Sequence, residues 1–370
     1  MRFLIFTFLT ISTSASFAAK FLSQKVNISV TSSVVPVGAQ DFTTRCAGAG
    51  VVRCVGFDTS SDIAGVLGDP HGVLGVSAGS QNEPVLDKNM SASGTSSLKF
   101  TVTSVVANSG GSYWLNFSDN YSLQFDSGQE FYVQWRQRFS PEYLAMNLSS
   151  YGSGGWKQII VGGGDQPGCD AGHFISTDNG GHCVSSCSDL ETNVQNTNFR
   201  KFPQMYNSCS GSSSTQNGRY PGGTPPYNGF EEPFGAYDFK LQNAMSAPYC
   251  LYSQANANTQ FSPAGNCFGY FANEWMTFQM HIVIGQRTAD YFKNSHIDLW
   301  VARQGQASVQ IFNWGPYDLA AGPASQMLKY GKVWLMSYDT NKTSDMTTIP
   351  TAYTWYDELI VSKNRIADPK

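Results

Sequence analysis

The sequence predicts an all-β sandwich of two antiparallel sheets. Three observations carry that expectation. Runs rich in Val, Ile, Thr, Phe, Tyr and Trp recur along the chain, separated by Gly-, Ser- and Asn-rich turns such as Ser109-Gly110-Gly111 and Gly162-Gly163-Gly164-Asp165. No long stretch repeats its apolar residues at the helical period. The composition is aromatic-rich and charge-poor, 14% each, with 36 glycines, which suits pleated layers with stacking faces.

The first residues read as an export signal. Arg2 supplies the charge, Phe3 to Ile11 the short apolar run, and Ser16-Phe17-Ala18 the small residues for cleavage near Ala18 or Ala19. The chain is therefore expected to be secreted or periplasmic, with residues 1–19 removed and 20–370 forming a single domain. Residues 20–95 pattern weakly and are expected to wrap the sandwich. Strands are expected at Ser97–Val106, Ser112–Phe117, Glu130–Phe139, Trp156–Val161, Leu190–Gln195, Trp275–Ile284, His296–Ala302, Ser308–Phe312, Lys332–Tyr338 and Thr351–Ser362. Pro141 to Met146 reads as a short helical turn. Two long loops, Gly162–Asp189 and Ser208–Phe234, exceed ordinary connection lengths, as functional or disordered segments do; disulfides are expected to fix the first, and the second to form a groove wall.

Eight cysteines remain beyond the signal, an even count that in an exported chain reads as disulfides. Proximity favours Cys46–Cys54 and Cys250–Cys267. Cys169, Cys183, Cys187 and Cys209 are left to pair in one loop region. Cys183 and Cys187 beside His173 and His182 also suit zinc, a reading that an oxidising compartment disfavours. Six Asn-x-Ser/Thr sequons occur, at Asn27, Asn89, Asn116, Asn120, Asn147 and Asn341.

Charge excludes some partners. Lys and Arg total 23 against 27 Asp and Glu, which is no nucleic-acid footprint. No stretch after the signal is apolar enough for a membrane helix. A monomer is expected. An anionic ligand would have to be held by local Arg and Lys.

Alternation sorts the candidate residues onto faces. In the strand from Phe131, Val133, Trp135 and Phe139 form a core side broken by Gln137. Tyr132, Gln134, Arg136 and Arg138 form a polar side. Two arginines and an amide there suit bidentate binding of a uronate carboxylate, or else an outer face with ordinary ion pairs. Glu191, Asn193 and Gln195 share a side opposite Leu190 and Val194. Amides in that position suit sugar hydroxyls, or a solvated outer face. Tyr330, Lys332, Trp334, Met336 and Tyr338 are expected to share another side. Tyr or Lys there suits acid–base work and Trp suits stacking on a sugar ring; the plain alternative is an aromatic edge with a snorkelling lysine. His281 sits among apolar residues, where a satisfied core histidine is the ordinary outcome. His296 stands at a strand mouth.

Several segments together resemble the concanavalin-A-like jelly-roll polysaccharide lyases, a group that includes heparin, glucuronan and alginate lyases. They are Gly155-Trp156-Lys157-Gln158-Ile159-Ile160, Trp275 to Gly285 followed by His296 to Val301, Lys329 to Tyr338, and Tyr356 to Pro369. The likeness spans residues 97 to 369. Ile160 stands where the group has a His, and Trp334 where it has a Gly. The resemblance implies a jelly-roll sandwich that cleaves a uronic-acid polysaccharide by β-elimination. It assigns Arg136, Arg138, Gln158 and Asn193 to the carboxylate, Tyr338 to acid–base transfer, and His173 to the base, with His281 as a substitute. Gln134, Gln195, Glu191, Lys332 and Trp334 would hold the sugar. No cofactor is required; a structural Ca²⁺ is an option at Asp357, next to Glu358. Two rival readings use the same frame. A glycoside hydrolase needs two facing carboxylates, drawn from Glu191, Glu274 and Asp298. A non-catalytic sugar-binding protein needs only the aromatic face.

Overall fold

The computed structural model describes residues 40–66, 69–74, 82–104, 109–148, 155–165, 191–197, 201–207, 268–288, 291–321, 327–339, 342 and 349–370. All lie in one compact unit, Gly38–Lys370. The expected export signal, six of the cysteines, His173 and His182 lie outside the described residues.

The strands are β1 Val51–Val55, β2 His71–Leu74, β3 Val85–Asp87, β4 Ser97–Val102, β5 Ser109–Asn116, β6 Glu130–Phe139, β7 Gly155–Gly163 and β8 Glu191–Thr197. They continue with β9 Gln204–Asn207, β10 Trp275–Val283, β11 Gln286–Arg287, β12 Tyr291–Ala302, β13 Val309–Ala320, β14 Tyr330–Tyr338 and β15 Ala352–Ser362. Among the described residues they form two antiparallel sheets. A nine-stranded sheet runs β11-β12-β10-β6-β15-β4-β3, with β1 on β15 and β13 on β12; a six-stranded sheet runs β2-β5-β14-β7-β8-β9. This is the expected jelly-roll sandwich. Residues expected to wrap it include β1, which joins the larger sheet, and β2, which edges the smaller.

The core lies between the sheets. Phe131, Val133, Trp135 and Phe139 of β6 meet Met276, Phe278, Met280 and Ile282 of β10, all at or near zero exposure. Facing them across the core are Tyr113 and Leu115 of β5, Ile159 and Val161 of β7, Val194 of β8, and Val333 and Leu335 of β14. Each large apolar side chain buried this way contributes about 1.5–3 kcal/mol. Trp135 stacks on Phe278 at 5.3 Å, and rings of Phe139, Tyr143, Trp156 and Tyr270 close one end of the core.

Two short helices are fixed by their caps. In α2, Pro141–Ala145, the Ser140 hydroxyl accepts the Tyr143 N–H at 3.2 Å, and Pro141 pre-sets the first turn. In α1, Phe42–Cys46, Asp41 accepts the Thr44 N–H at 2.8 Å. Cys46 is disulfide-bonded to Cys54 of β1, the expected local pair. The described ends meet: Gln40 bridges to Pro369, its N–H donating to Asp368 O at 2.8 Å, while the Lys370 N–H donates to Gln40 O at 3.0 Å.

Register shifts occur in several strands, and three of them decide which way candidate side chains face. One lies between Lys157 and Ile159 of β7, one between Tyr330 and Lys332 of β14, and one between Asp357 and Ile360 of β15. In the last, Glu358 takes a left-handed backbone, φ 52°. A non-glycine residue there stores about 1–3 kcal/mol of strain, which its surroundings must outweigh.

Candidate functional site

The outer face of the six-stranded sheet gathers the most complete chemistry. Val333 and Leu335 point into the core, so Lys332, Trp334, Met336 and Tyr338 point outward. Trp334 pairs with Trp114 of β5 on one side and with Ile160 of β7 on the other; Ile160 in turn pairs with Asn193 of β8. Lys157 pairs with Gln195, and Gln195 with Gln204 of β9. The Lys157 ammonium sits over the Tyr338 ring, 5.4 Å from its centroid. That is a cation–π geometry, attractive by roughly 0.5–2 kcal/mol. Tyr338, Trp334, Lys157 and Gln195 are half-buried, whereas Asn193, Ile160 and Trp114 are buried.

Gly72 makes room for the floor of this face. A Cβ at Gly72 would lie 2.7 Å from Cη2 of Trp114, so only glycine lets the indole lie across β2. The Trp114 Nε1–H is tied to Asp69 O at 2.9 Å, which fixes the ring. At the other end of the face, Lys332 is 1% exposed and its ammonium lies 2.7 Å from Asp165. Asn116 completes the knot: its amide donates to Asp165 at 2.9 Å and accepts the Asp165 N–H at 3.0 Å. Lys332 therefore anchors the end of β7 with an ion pair.

Four expected site residues fall elsewhere. Gln158 was placed with the carboxylate binders, but it is the extra residue of the β7 bulge and turns inward. Its side chain accepts the Tyr270 hydroxyl at 3.0 Å within the core. Arg136, Arg138 and Gln134 lie on the outer face of the nine-stranded sheet, the opposite side of the sandwich from Tyr338. Gln134 is spent at both ends: it accepts Arg45 and donates to Ala367 O at 3.0 Å. Arg136 lies 3.5 Å from Glu358, which also pairs with Arg45 of α1. Arg138 donates to Asn273 O. Burial lowers the Arg136 pKa, with the Glu358 charge opposing, and burial also lowers that of Arg138. Tyr330, expected beside Lys332, is turned into the core by the β14 bulge, where its hydroxyl meets that of Thr192 at 2.8 Å.

Asp357 is not built for a cation. Its carboxylate accepts the N–H groups of Ala92 at 2.7 Å, Ser93 at 3.3 Å and Glu358 at 2.7 Å, so its ligands are donors. Burial outweighs these bonds and raises its pKa to about 8. No group of three His, Cys, Asp or Glu suited to a metal occurs among the described residues.

His281 leaves the core and lies on the outer face of the nine-stranded sheet. Its ring nitrogens lie 2.8 Å from Asp298 and 2.8 Å from Glu130, and its ring stacks on Tyr132 at 4.1 Å. Asp298 also accepts from His296 at 3.1 Å and Gln310 at 2.7 Å. Burial pushes Asp298 up, but its bonds to His281 and His296 prevail and hold it below the usual carboxylate value. Its bond to Asp298 raises the His296 pKa against burial. The hydrolase candidates are thus engaged: Asp298 here, and Glu274 by a two-pronged bond from Arg303 at 2.7 and 2.8 Å. Glu191 is the first residue of β8, paired with Gly162 of β7.

Beneath the outer face, Asp339 is fully buried, and neither carboxylate oxygen makes a hydrogen bond among the described residues. Burial raises its pKa well above that of a free carboxyl, with Lys342 opposing.

Two residues of the outer face were missed in the sequence reading: Lys157, which precedes the bulge, and Trp114, whose strand was recognised but not its face. Trp114 faces Trp334 across the β5–β14 pairing, a register that the sequence alone does not show. Nothing in the local sequence marks the bulge.

No family model matches the chain, and no curated protein matches it. Solved structures similar to it include the marine PL-14 alginate lyase from Aplysia kurodai: 12% identity, TM-score 0.48, covering 85% of this chain and 99% of that one. The cellulose-induced protein Cip1 is similar at 11% identity and TM-score 0.39, over 85% and 99%. The alginate lyase vAL-1 from a Chlorella virus is similar at 8% identity and TM-score 0.32, over 85% and 100%. At these identities and scores the likenesses assign no activity.

Proposed function

We propose that this protein is an exported polysaccharide lyase that cleaves a uronic-acid polymer by β-elimination. The observation that carries the reading is the Lys157 ammonium over the Tyr338 ring, on a sheet face that also presents Trp334, Asn193 and Gln195. Elimination needs three things on one surface: a positive or donor group for the carboxylate, an acid–base group at the ring carbon, and a platform for the sugar.

In this reading Lys157, with the amides of Asn193 and Gln195, neutralises the uronate carboxylate and so acidifies the adjacent C–H. Tyr338 takes that proton. The electron pair forms the ring double bond, the glycosidic C–O bond breaks, and the leaving oxygen receives a proton from Tyr338. Trp334 stacks on a neighbouring sugar. Lys332 acts indirectly by anchoring β7 through Asp165. The steps route no electron pair through a metal. Arg136 and Arg138 have no part in this version of the site.

The test is ultraviolet absorbance of the full chain with alginate, glucuronan, ulvan, pectate and glycosaminoglycans. An unsaturated product that disappears in Tyr338→Phe and falls in Lys157→Met supports the reading. A flat trace on every polymer, with no new reducing ends, sinks it and leaves a sugar-binding protein.

A further inference from the structure

We propose that Asn120 is an acceptor site for an N-linked oligosaccharide and that the neighbouring sequon at Asn116 is not. The proposal rests on export of the chain and is independent of what the sheet face catalyses. The two sequons, Asn116-Phe117-Ser118 and Asn120-Tyr121-Ser122, lie side by side in sequence, so motif alone does not separate them. The fold does.

Asn116 is the last residue of β5 and is 1% exposed. Its Nδ2 donates to Asp165 at 2.9 Å and to Pro70 O at 3.2 Å, and its Oδ1 accepts the Asp165 N–H at 3.0 Å. Asp165 in turn neutralises the buried Lys332 ammonium. A glycan on this Nδ2 would take one of its two N–H donors and would have to pass through the ion pair. A chain modified there could not close the end of β7.

Asn120 is exposed, in the turn that follows β5. Its Oδ1 accepts two bonds from the third residue of its own sequon: the Ser122 hydroxyl at 2.7 Å and the Ser122 N–H at 3.1 Å. This Asx-type turn brings the hydroxyl onto the acceptor amide and leaves Nδ2 facing solvent. The turn is held independently of Asn120, by Leu123 N–H to Ser118 Oγ at 2.9 Å and by Gln124 Nε2 to Asp165 O at 2.9 Å. A glycan therefore costs the fold nothing there. In the transfer, Asn120 Nδ2 attacks the anomeric carbon of a lipid-diphosphate-linked oligosaccharide. The C–N bond forms, the bond from that carbon to the diphosphate oxygen breaks, the lipid diphosphate leaves with the electron pair, and Nδ2 gives up one proton.

The experiment is expression of the full chain, with its own N-terminus, in a eukaryotic secretory host. The secreted protein is treated with peptide N-glycosidase, which converts each glycosylated Asn to Asp, and is then cleaved after Phe117 to separate the two sequons for mass spectrometry. The expected result is conversion at Asn120 and none at Asn116. Ser122→Ala, which keeps the asparagine and alters only an exposed side chain, should lose that glycan and still be secreted. Secreted protein with an unmodified Asn120, or with a glycan at Asn116, overturns the proposal. Failure of the chain to leave the cell overturns the export on which it rests.

Discussion

The outer faces of the two sheets carry similar inventories and do opposite things. On the nine-stranded sheet, Arg136 and Gln134 stand beside an acid, Glu358, much as a carbohydrate site would present them. The chain ends then cover them: Arg45 of α1 reaches Glu358 and Gln134, and the backbone at Ile366 and Ala367 accepts from Gln279 and Gln134, both at 3.0 Å. On the six-stranded sheet, the Lys157 ammonium lies over the Tyr338 ring. Residue type does not separate an arginine tied into the frame from the lysine proposed to act. What marks Arg136 is that the chain itself supplies its anion, Glu358, which Arg45 also pairs.

Four experiments would break or sharpen that contrast. The largest expected effect is that of Tyr338→Phe, which should lower turnover by about 10²–10⁴-fold with the fold unchanged by circular dichroism. Retained activity would move the chemistry off this face. Next is Glu358→Ala, which leaves two buried guanidinium groups without their anion and should cost on the order of 3–5 kcal/mol of stability. Turnover per folded molecule should stay near that of the wild type. A variant that remains folded yet inactive would make the covered face functional and end the contrast.

Third is Cys46→Ser, which opens a bridge of sequence separation 8. Loop-closure entropy for so short a loop puts the loss at about 2.5 kcal/mol, read as a lower urea midpoint. An unchanged midpoint would mean that Arg45 holds α1 without help. Smallest per unit is the effect of pH. Asp357 has a folded pKa of about 8 against 3.8 when free, and Asp339 is raised as well. Above 3.8 the unfolded chain has released protons that the native chain still holds. For Asp357, stability is therefore greatest below that value and falls as pH climbs toward 8, on the order of 1 kcal/mol per pH unit, and Asp339 acts in the same direction. Asp298, whose folded pKa is lowered, acts only below this window. Asp357→Asn should flatten the slope. A midpoint that rises with pH across the window would contradict the burial argument.

The sequence made most of the sandwich legible. The expected bounds of β6 agree with the structure, and the expected strands at β4, β5, β7, β8, β10, β12, β13, β14 and β15 all lie on observed ones, because β-branched and aromatic runs are long there. The helical turn at Pro141 was readable from Ser140-Pro141. Strands β1, β2, β3, β9 and β11 have five residues or fewer and too little pattern to register. Faces were harder. Alternation put Asn193 and Gln195 on one side of their strand and Trp334 and Tyr338 on one side of theirs, and the structure brings both pairs to one sheet. It failed at Tyr330, as the resemblance did at Gln158, because each adjoins a bulge, and a bulge is decided by the neighbouring strand. It failed at Arg136 for another reason. The face was assigned as outer, but its cover comes from residues 40–55 and 364–370, far away in sequence.

The pairing of Gln40 with Asp368, Pro369 and Lys370 has a topological consequence. Gln40 and Lys370 are hydrogen-bonded neighbours, so a direct link between them would close residues 40–370 into a ring. Joining Lys370 to Gln40 through a short linker would cross no strand. New ends could open in the exposed turn at Gly305, where Gln306 N–H meets Arg303 O at 3.0 Å and nothing lies within 4 Å of a Cβ position. In such a permuted chain β13, β14 and β15 would be synthesised first, ahead of the residues that now precede them. Both outer faces would keep their cover and their chemistry, while the order of assembly became an experimental choice.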